Sequence, residues 1–528
     1  MDKFDWDAGY TYGRDTTVDV TTGALSESRV RAALASSNPA TALNIFGGAS
    51  FRNSDAVLNS VRVTSQRGGS AELNLYDAKI SGPLFEIPTG EVRGAAYVEY
   101  RTENFNESND AISTTLDDII GQVRLASATR AFRSVKSVAG EVGFPLIKTG
   151  EYKYLESVTA SVAARFEEFS EGYDSGIKPY YGLSIKPMKS LLIRGSYTEA
   201  FRAPSLPQLF GGVRESLPAG LPDFARPQAL TGDPFDGAAT QRLVRAGGNP
   251  NLTPETAKSF QAGIVWDVPY KYFKGLTIEA TYGEIEQSNV ITTTGTGFVR
   301  NNEFGDAAGL TTRLPGTQTF TNTTASPIVV YTGPGARLSP GADRTVNPGE
   351  SITVPGSLVS LSDSVVNLAF QAVRYYDFSA RYTIKTTNWG RFTANSTATY
   401  LKNTGFTRLA GGIVNNVVDR GSIPRFRLQT NLDWRMKEFG AGLTNNYIPA
   451  NGDVDLDLYR AEEYSTYNGY FSYDFSSKGL LAGVKMTVGL DNILDESPPL
   501  APASVGYDQG LIGRPQGRFG YISVRKEF

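Results

Sequence analysis

The chain has 528 residues and contains neither histidine nor cysteine, which excludes disulfides, thiolate nucleophiles, imidazole bases and nearly every zinc site. Its 51 basic and 54 acidic residues give a net charge of −3, so no overall positive field attracts nucleic acid. The mean hydropathy is −0.25, and no apolar run approaches the roughly 18 residues that a membrane-spanning helix needs. We therefore expect no enzyme, no cofactor, no bound metal and no nucleic acid partner.

The first segment of the chain alternates between the two faces of a strand. Phe4, Trp6, Ala8, Tyr10 and Tyr12 share one face, while polar or small residues occupy the other. The same period of two recurs along the chain, for example at 426–434, where apolar residues oppose Arg, Gln, Asn and Asp. The opening sequence MDKFDWDAGYTYG has no secretory leader pattern, so the chain as written is not expected to be exported.

Sixteen strands are predicted from this alternation, and many of them have ten residues or more. A soluble β-sandwich has strands of about five or six residues, whereas segments of about ten residues with one apolar and one polar side are typical of a transmembrane β-barrel. Short and long connections also alternate, as periplasmic turns and exterior loops do in such barrels. The sequence predicts an all-β, antiparallel transmembrane barrel with strands near 3–13, 67–81, 90–104, 128–146, 153–169, 175–188, 189–201, 254–269, 274–290, 367–386, 389–403, 419–435, 437–449, 459–475, 480–495 and 514–528.

Four segments carry a family resemblance. The sequence FRAPS (201–205) follows one predicted strand, NPNLTPE (249–255) leads into the next, LDNILDESPP (490–499) lies near the end, and the last strand ends on an aromatic residue, although Lys526 stands where an aromatic is commoner. In order and spacing, these segments resemble the barrel of TonB-dependent outer-membrane receptors. The matching residues are Phe201, Arg202, Pro204, Asn249, Pro250, Asn251, Leu252, Pro254, Glu255, Asn492 and, as an assembly signal, Phe528.

The resemblance implies a barrel of about 22 strands, preceded by a signal peptide, a TonB box and a plug domain. We expect residues 1–528 to be the C-terminal β-barrel portion of such a receptor, with no plug domain. The implied function is TonB-driven uptake of a bulky, scarce nutrient, either an iron–siderophore complex or an oligosaccharide, across a Gram-negative outer membrane. The implied partners are outer-membrane lipid, the barrel-assembly machinery, an unidentified extracellular small molecule and, only through the plug, the TonB complex. A passive sixteen-stranded porin and a non-functional barrel fragment are the alternatives.

Particular residues follow from the predicted strands and loops. Arg425, Arg427, Asp433 and Arg435 alternate on the polar side of one strand, so we expect them to line a lumen, with their charges paired to Asp433 and neighbouring acids. In the longest connection, IVVY (328–331) and SITV (351–354) are expected to form a small hairpin, and Ser54 is expected to cap a short helix. The acidic run at 453–457 lacks the glycine and the final acid of a calcium loop, so we do not expect it to bind calcium.

Overall fold

Sixteen long strands form one antiparallel sheet in which chain neighbours are also hydrogen-bonded neighbours. The computed structural model describes residues 4–48, 51–114, 119–121, 124–125, 128–148, 150–335, 337, 343–407, 415–419, 423–453, 459–475, 481–500, 506–507 and 516–526. The strands are β1 (Asp5–Leu25), β2 (Arg62–Ile87), β3 (Gly90–Asn109), β4 (Thr129–Ile147), β5 (Ser157–Phe169), β6 (Lys178–Met188), β7 (Leu191–Arg202), β8 (Glu255–Asp267), β9 (Leu276–Thr293), β10 (Val365–Thr386), β11 (Gly390–Thr407), β12 (Phe426–Met436), β13 (Phe439–Ile448), β14 (Tyr464–Phe475), β15 (Val484–Asp491) and β16 (Phe519–Lys526).

All sixteen predicted strands are confirmed, with differences at their ends. The largest differences at one strand end are in β1, which continues twelve residues past the predicted end at 13, and in β12, which begins seven residues after the predicted start at 419. β2 begins five residues earlier and ends six residues later than predicted. Within the described part of the chain, β1 pairs with β2 and β16 pairs with β15. The total of 22 strands stays a prediction.

The strand register gives the sheet one apolar and one polar face. Residues that pair directly across neighbouring strands share a face, and rows of aromatic residues follow from this. One row joins Tyr10, Tyr76 and Tyr100. The ring centroids are 4.8 Å apart between Tyr10 and Tyr76 and 6.5 Å apart between Tyr76 and Tyr100. Another joins Tyr282, Tyr376 and Tyr400, at 5.3 and 6.3 Å. Large side chains on this face are exposed, up to 76% for Trp6, which is typical of a sheet whose apolar face meets lipid.

On the polar face, three glycines are covered by tyrosines from the neighbouring strand. A Cβ atom at Gly283, Gly442 or Gly489 would lie only 2.2 Å from a ring carbon of the tyrosine that pairs with it in register. The tyrosines are Tyr375, Tyr470 and Tyr521. Glycine is therefore required where the ring lies flat across the partner strand, and the ring in turn covers the backbone that glycine exposes.

Three long connections at one end of the sheet fold together into a unit that we call the loop domain (residues 110–128, 203–254 and 294–364). Its main sheet has five short strands, Arg124–Leu125, Arg214–Ser216, Leu243–Ala246, Leu358–Ser362 and Thr311–Arg313. Two of these, from different connections, pair in parallel, with Val244 opposite Leu361. The loop domain is therefore held together by pairings between segments that are far apart in the chain.

The expected hairpin between 328–331 and 351–354 is wrong, because each segment has a different partner. Ile328–Tyr331 pairs with Asp343–Val346, and Ser351–Pro355 pairs with Thr317–Thr321. The two ribbons instead pack their apolar sides together in one buried cluster, consisting of Leu230, Ile328, Val330, Val346, Ile352 and Val354. Burying each such side chain contributes about 1.5–3 kcal/mol, so packing between ribbons replaces the expected pairing.

Short helices lie in the connections. They are Glu27–Ala35, Asp55–Val61, Ala111–Thr114, Leu206–Phe210, Gln228–Thr231 and Thr296–Asn301, with 3₁₀ turns at Pro234–Asp236 and Lys271–Phe273. The helix expected after Ser54 is confirmed, because the Ser54 hydroxyl accepts a hydrogen bond from the Val57 N–H at 3.3 Å. No helix in the described ranges has the length and apolar character that crossing a membrane requires.

Candidate functional site

An ion network occupies the polar face of β3, β4 and β5. Arg101 contacts Glu99 at 2.5 Å, Glu103 at 3.0 Å and Glu167 at 3.4 Å. Arg165 contacts Glu167 at 2.6 Å and Glu99 at 3.5 Å. Each of these arginines is thus shared between carboxylates on two strands, and the network fixes the register of the three strands while leaving little unpaired charge on this part of the face.

Arg133 connects this network to the loops. Its side chain is 3% exposed, and it donates to Glu171 Oε1 at 2.6 Å, to the Pro204 carbonyl at 2.7 Å and to Tyr173 Oη at 3.2 Å. The Phe169 ring lies beneath its guanidinium at 5.4 Å. Arg133 therefore joins the polar face to the segment that follows β7.

A hollow of about 630 Å³ opens beside the network, across β2 to β7. Small residues form much of its floor, and charged or phenolic side chains stand around it. The small residues include Ala95, Ala139, Gly140, Ala163 and Ala200, and the polar ones include Lys79, Tyr97, Glu141, Arg165, Lys178 and Tyr180. The hollow is large enough for a small ligand, although its residues were not singled out from the sequence.

Buried ion pairs hold the loop domain. Arg313 donates to both oxygens of Asp223, at 2.7 and 2.8 Å, and to Glu303 Oε1 at 2.7 Å. Burial raises the pKa of Asp223, but the hydrogen bonds and charge of Arg313 outweigh burial and hold this pKa below its usual range. Burial also raises the pKa of Glu303, which its contact with Arg313 offsets only in part. Because Asp223 additionally accepts the Leu358 N–H at 3.0 Å, it ties two of the long connections together.

The family-motif residues meet where the loop domain joins the sheet. Arg202 and Glu255 form a two-point contact, with Nε–Oε2 at 2.6 Å and Nη2–Oε1 at 2.7 Å. Glu255 Oε1 also accepts the Ile291 N–H at 2.7 Å. The Asn249 amide donates to the Val365 carbonyl at 3.0 Å. Around these contacts, Phe201 lies 5.4 Å from Phe169, Asn251 donates to Asn249, Leu252 is buried against Leu209 and Ile291, Pro250 is exposed and Pro254 is half-buried.

The motif residue Asn492 shapes the turn after β15. Its backbone adopts a positive φ of 49°, and its side chain is bonded in both directions to Glu496, donating at 2.8 Å and accepting at 2.9 Å. Asparagine tolerates this left-handed conformation better than most residues. Phe528, the expected assembly signal, lies outside the described residues.

The predicted lumen residues divide into two groups. Arg427, Asp433 and Arg435 lie on the polar face of β12, in register with Thr399, Thr393 and Arg391 of β11. Arg425 precedes β12, donates to Asp419 at 2.7 Å and lies 6.0 Å from the Tyr400 ring on the apolar face. The expected charge pairing is confirmed for Arg425, whose partner is the neighbouring acid Asp419. The expected pairing with Asp433 is wrong, because this carboxylate accepts from Tyr470 Oη at 2.8 Å and forms no ion pair within the described ranges. That the four residues line a lumen stays a prediction.

Sequence reasoning missed a row of like charges and the whole ion network. Lys385, Arg391 and Arg435 are directly opposite one another on β10, β11 and β12, and none of them forms an ion pair within the described ranges. A signal for the network was present, since residues 99, 101 and 103 alternate Glu, Arg and Glu on one face. The row gives no such signal, because it depends on the register of three strands. The described residues contain no group of three or more acidic side chains placed to hold a metal ion.

A two-faced antiparallel sheet of sixteen strands, with long connections packed at one end, defines the class of the membrane β-barrels. A family model described as "TonB dependent receptor-like, beta-barrel" matches residues 1–493, and the chain therefore belongs to this family. A search of curated proteins finds no match.

Several solved structures share the fold. The siderophore receptor PirA from Acinetobacter baumannii is 14% identical, with 88% of this chain and 60% of that chain covered and a TM-score of 0.51. A mutant of the ferric enterobactin receptor PfeA from Pseudomonas aeruginosa is 14% identical, with 89% of this chain and 64% of that chain covered and a TM-score of 0.50. The outer-membrane transporter YddB from Escherichia coli is 9% identical, with 89% of this chain and 56% of that chain covered and a TM-score of 0.53. The chain thus spans about three fifths of these proteins, and at such identities the likeness concerns the fold alone.

Proposed function

We propose that this chain is the barrel wall of an outer-membrane receptor that imports a bulky, scarce nutrient with energy from TonB. In this proposal, residues 1–528 form the barrel portion, the apolar face contacts outer-membrane lipid, and the loop domain faces the exterior. The nutrient belongs to the iron–siderophore or the oligosaccharide class. TonB acts through a plug domain, and the barrel-assembly machinery inserts the chain into the membrane. The chain performs no catalysis.

The observation that carries this proposal is the packed loop domain at one end of a two-faced sheet. Binding residues are often placed in loops that a rigid scaffold positions. Here the loops have their own buried core and the Asp223–Arg313–Glu303 contacts, so they present a fixed surface. Membership of the TonB-dependent family and the fold shared with PirA and PfeA support the same assignment.

An uptake experiment with two probes tests the proposal. The complete gene that contains this chain is expressed in a Gram-negative host deleted for its own receptors, with and without tonB. Uptake of radioiron-labelled enterobactin and of radiolabelled maltohexaose is then measured. We expect one probe to accumulate only in the host that has tonB. Equal accumulation in both hosts would identify a passive porin, and no accumulation of either probe, with the protein folded in the outer membrane, would refute uptake of these two classes.

A further inference from the structure

Most arginines of the loop domain have either a carboxylate partner or several buried carbonyl acceptors. The connections 203–254 and 294–364 contain eight arginines. Five of them form ion pairs, namely Arg214 with Glu107, Arg226 with Asp236, Arg245 with Glu215, Arg313 with Asp223 and Glu303, and Arg344 with Glu350. A sixth, Arg242, is buried and donates to the carbonyls of Leu221, Phe235 and Leu358. Only two arginines of these connections differ from this pattern.

The two exceptions, Arg300 and Arg337, lie over the same aromatic ring. Their guanidinium carbons are 4.2 and 3.9 Å from the centroid of Phe224, which places the two carbons within about 8 Å of each other. Neither forms an ion pair with a carboxylate in the described ranges. Arg300 makes one long hydrogen bond, of 3.4 Å to the Gly220 carbonyl, and its Nε atom is buried without an acceptor. Two adjacent positive charges are therefore left without counter-charge.

The fold holds the backbone of these three residues in place. Arg300 belongs to the helix Thr296–Asn301, which is anchored by the fully buried Val299. The Arg337 N–H donates to the Asn301 carbonyl at 2.6 Å, and the Phe224 carbonyl accepts the Tyr331 N–H at 3.0 Å. All three members of the group are thus tied to packed elements. A site positioned in advance of binding loses less conformational entropy when a ligand arrives.

Electrostatics agrees with the geometry. Burial, together with the positive charges of Arg337 and Arg242, lowers the pKa of Arg300. Placing like charges this close is unfavourable unless a counter-charge is supplied. A guanidinium offers five N–H donors in a planar fork that suits carboxylate and phosphate oxygens.

We propose that Arg300, Phe224 and Arg337 form a binding site for the oxyanion groups of an anionic ligand, such as the carboxylate or phenolate oxygens of a metal chelate. This inference rests on the proposed function and narrows it, because a neutral oligosaccharide has no charge for the two guanidiniums to bind. The polar face of β10 to β12 also has a net positive charge. It carries Arg381, Lys385, Arg391, Arg427 and Arg435 against Asp377 and Asp433.

Calorimetry on the purified full chain in detergent tests the site. Citrate is the anionic probe and maltohexaose the neutral one. We expect citrate to bind, and Arg300→Gln or Arg337→Gln to weaken its binding about tenfold each, since each removes a charge-assisted contact. Arg344→Gln is the matched control, because Arg344 is an exposed loop arginine already paired with Glu350, and we expect it to change the affinity by less than about twofold. Failure of citrate to bind, or equal weakening by Arg344→Gln, would overturn the proposal.

Hydrogen–deuterium exchange on the unmodified chain tests the same site without a substitution, so its result does not depend on whether the variants fold. We expect citrate to protect amides at 221–227 and 296–301, and protection confined to other segments would overturn the assignment of the site. Neither measurement requires TonB. Citrate binding without tonB-dependent uptake would therefore reject the proposed function and keep this site, whereas uptake of maltohexaose without citrate binding would do the reverse.

Discussion

The contact between Arg202 and Glu255 allows a sharp test of how the loop domain is attached to the sheet. The Arg202 side chain is 62% exposed and the Glu255 side chain is 6% exposed. Glu255 has two roles, because it pairs with Arg202 and also accepts the N–H of the buried Ile291. Substituting Glu255→Ala removes both interactions, whereas Arg202→Ala removes only the ion pair.

The two interactions of Glu255 contribute unequally to the free energy of unfolding. An ion pair with a partner this exposed contributes about 0–1 kcal/mol. Leaving the buried N–H of Ile291 without an acceptor costs about 1–3 kcal/mol. We therefore expect Glu255→Ala to lower the free energy of unfolding by about 1–4 kcal/mol and Arg202→Ala by less than about 1 kcal/mol. Glu255→Gln keeps an acceptor for the Ile291 N–H, so its free energy of unfolding should be close to that of Arg202→Ala.

Urea unfolding of the refolded chain in detergent, followed by the fluorescence of its 4 tryptophans, measures these differences as shifts of the midpoint at constant slope. The variant with both substitutions completes a double-mutant cycle. If Arg202→Ala is as costly as Glu255→Ala, the stability comes from the ion pair and the argument from the buried N–H is refuted. If Glu255→Gln is as costly as Glu255→Ala, the amide does not replace the carboxylate as an acceptor, and the argument also fails.

Three further predictions concern the loop domain and the polar face. Asp223→Asn breaks the buried contact with Arg313, a loss of about 3–5 kcal/mol, and should speed hydrogen–deuterium exchange across the loop domain, while Arg344→Ala at an exposed pair should not. Because the folded pKa of Asp223 lies below its ordinary value of 3.8, its stabilising effect is present above that pH and is lost as the pH falls through the folded pKa, so the protection of loop-domain amides relative to their intrinsic exchange rate should also fall at pH below about 4. Arg391→Gln removes one of three like charges in a row and should raise the free energy of unfolding by about 0.2–1 kcal/mol at low salt. Gly442→Val places side-chain atoms against the Tyr470 ring and should lower it by about 1–3 kcal/mol.

Each of these predictions has a contradicting result. Exchange in the loop domain that does not respond to Asp223→Asn would mean that the apolar clusters hold this unit without the ion pair. A gain from Arg391→Gln that persists unchanged in high salt would exclude charge repulsion as its cause. A free energy of unfolding that Gly442→Val leaves unchanged would show that the Tyr470 ring moves aside without cost and that its contact does not require glycine at this position.

The strands of the main sheet could be predicted because their signal is local. In β12, Phe426, Leu428, Leu432 and Trp434 alternate with polar residues, and this period of two requires no knowledge of the partner strands. The prediction for β1 ended at 13 because the next residues, Arg-Asp-Thr-Thr, show no apolar alternation. The strand nevertheless continues, since Arg14 to Thr17 pair in register with β2. Cross-strand pairing therefore extends a strand where its own sequence gives no signal.

The loop domain could not be predicted in the same way. Val244 and Leu361 are opposite each other in parallel strands from two different connections, and no local period links residues so far apart. The segment IVVY (328–331) reads as a strand in isolation, but its partner is the polar segment DRTV (343–346) and not the more apolar SITV (351–354). Hydrophobic similarity predicted the wrong pair because the two apolar ribbons satisfy their burial by packing face to face.

The two charged regions of the polar face have opposite consequences for anything that contacts it. In the network of β3 to β5, each carboxylate of Glu99 and Glu167 already contacts Arg101 and Arg165, so a ligand would have to break existing contacts to bind there. In the row of Lys385, Arg391 and Arg435, like charges oppose each other, and an approaching anion relieves repulsion instead of breaking a pair. Repulsion within the row acts on the stability of the sheet and not on the site at Arg300 and Arg337, so Arg391→Gln should leave the citrate affinity measured by calorimetry unchanged, and a loss of about tenfold in this variant would place the citrate site at the row instead.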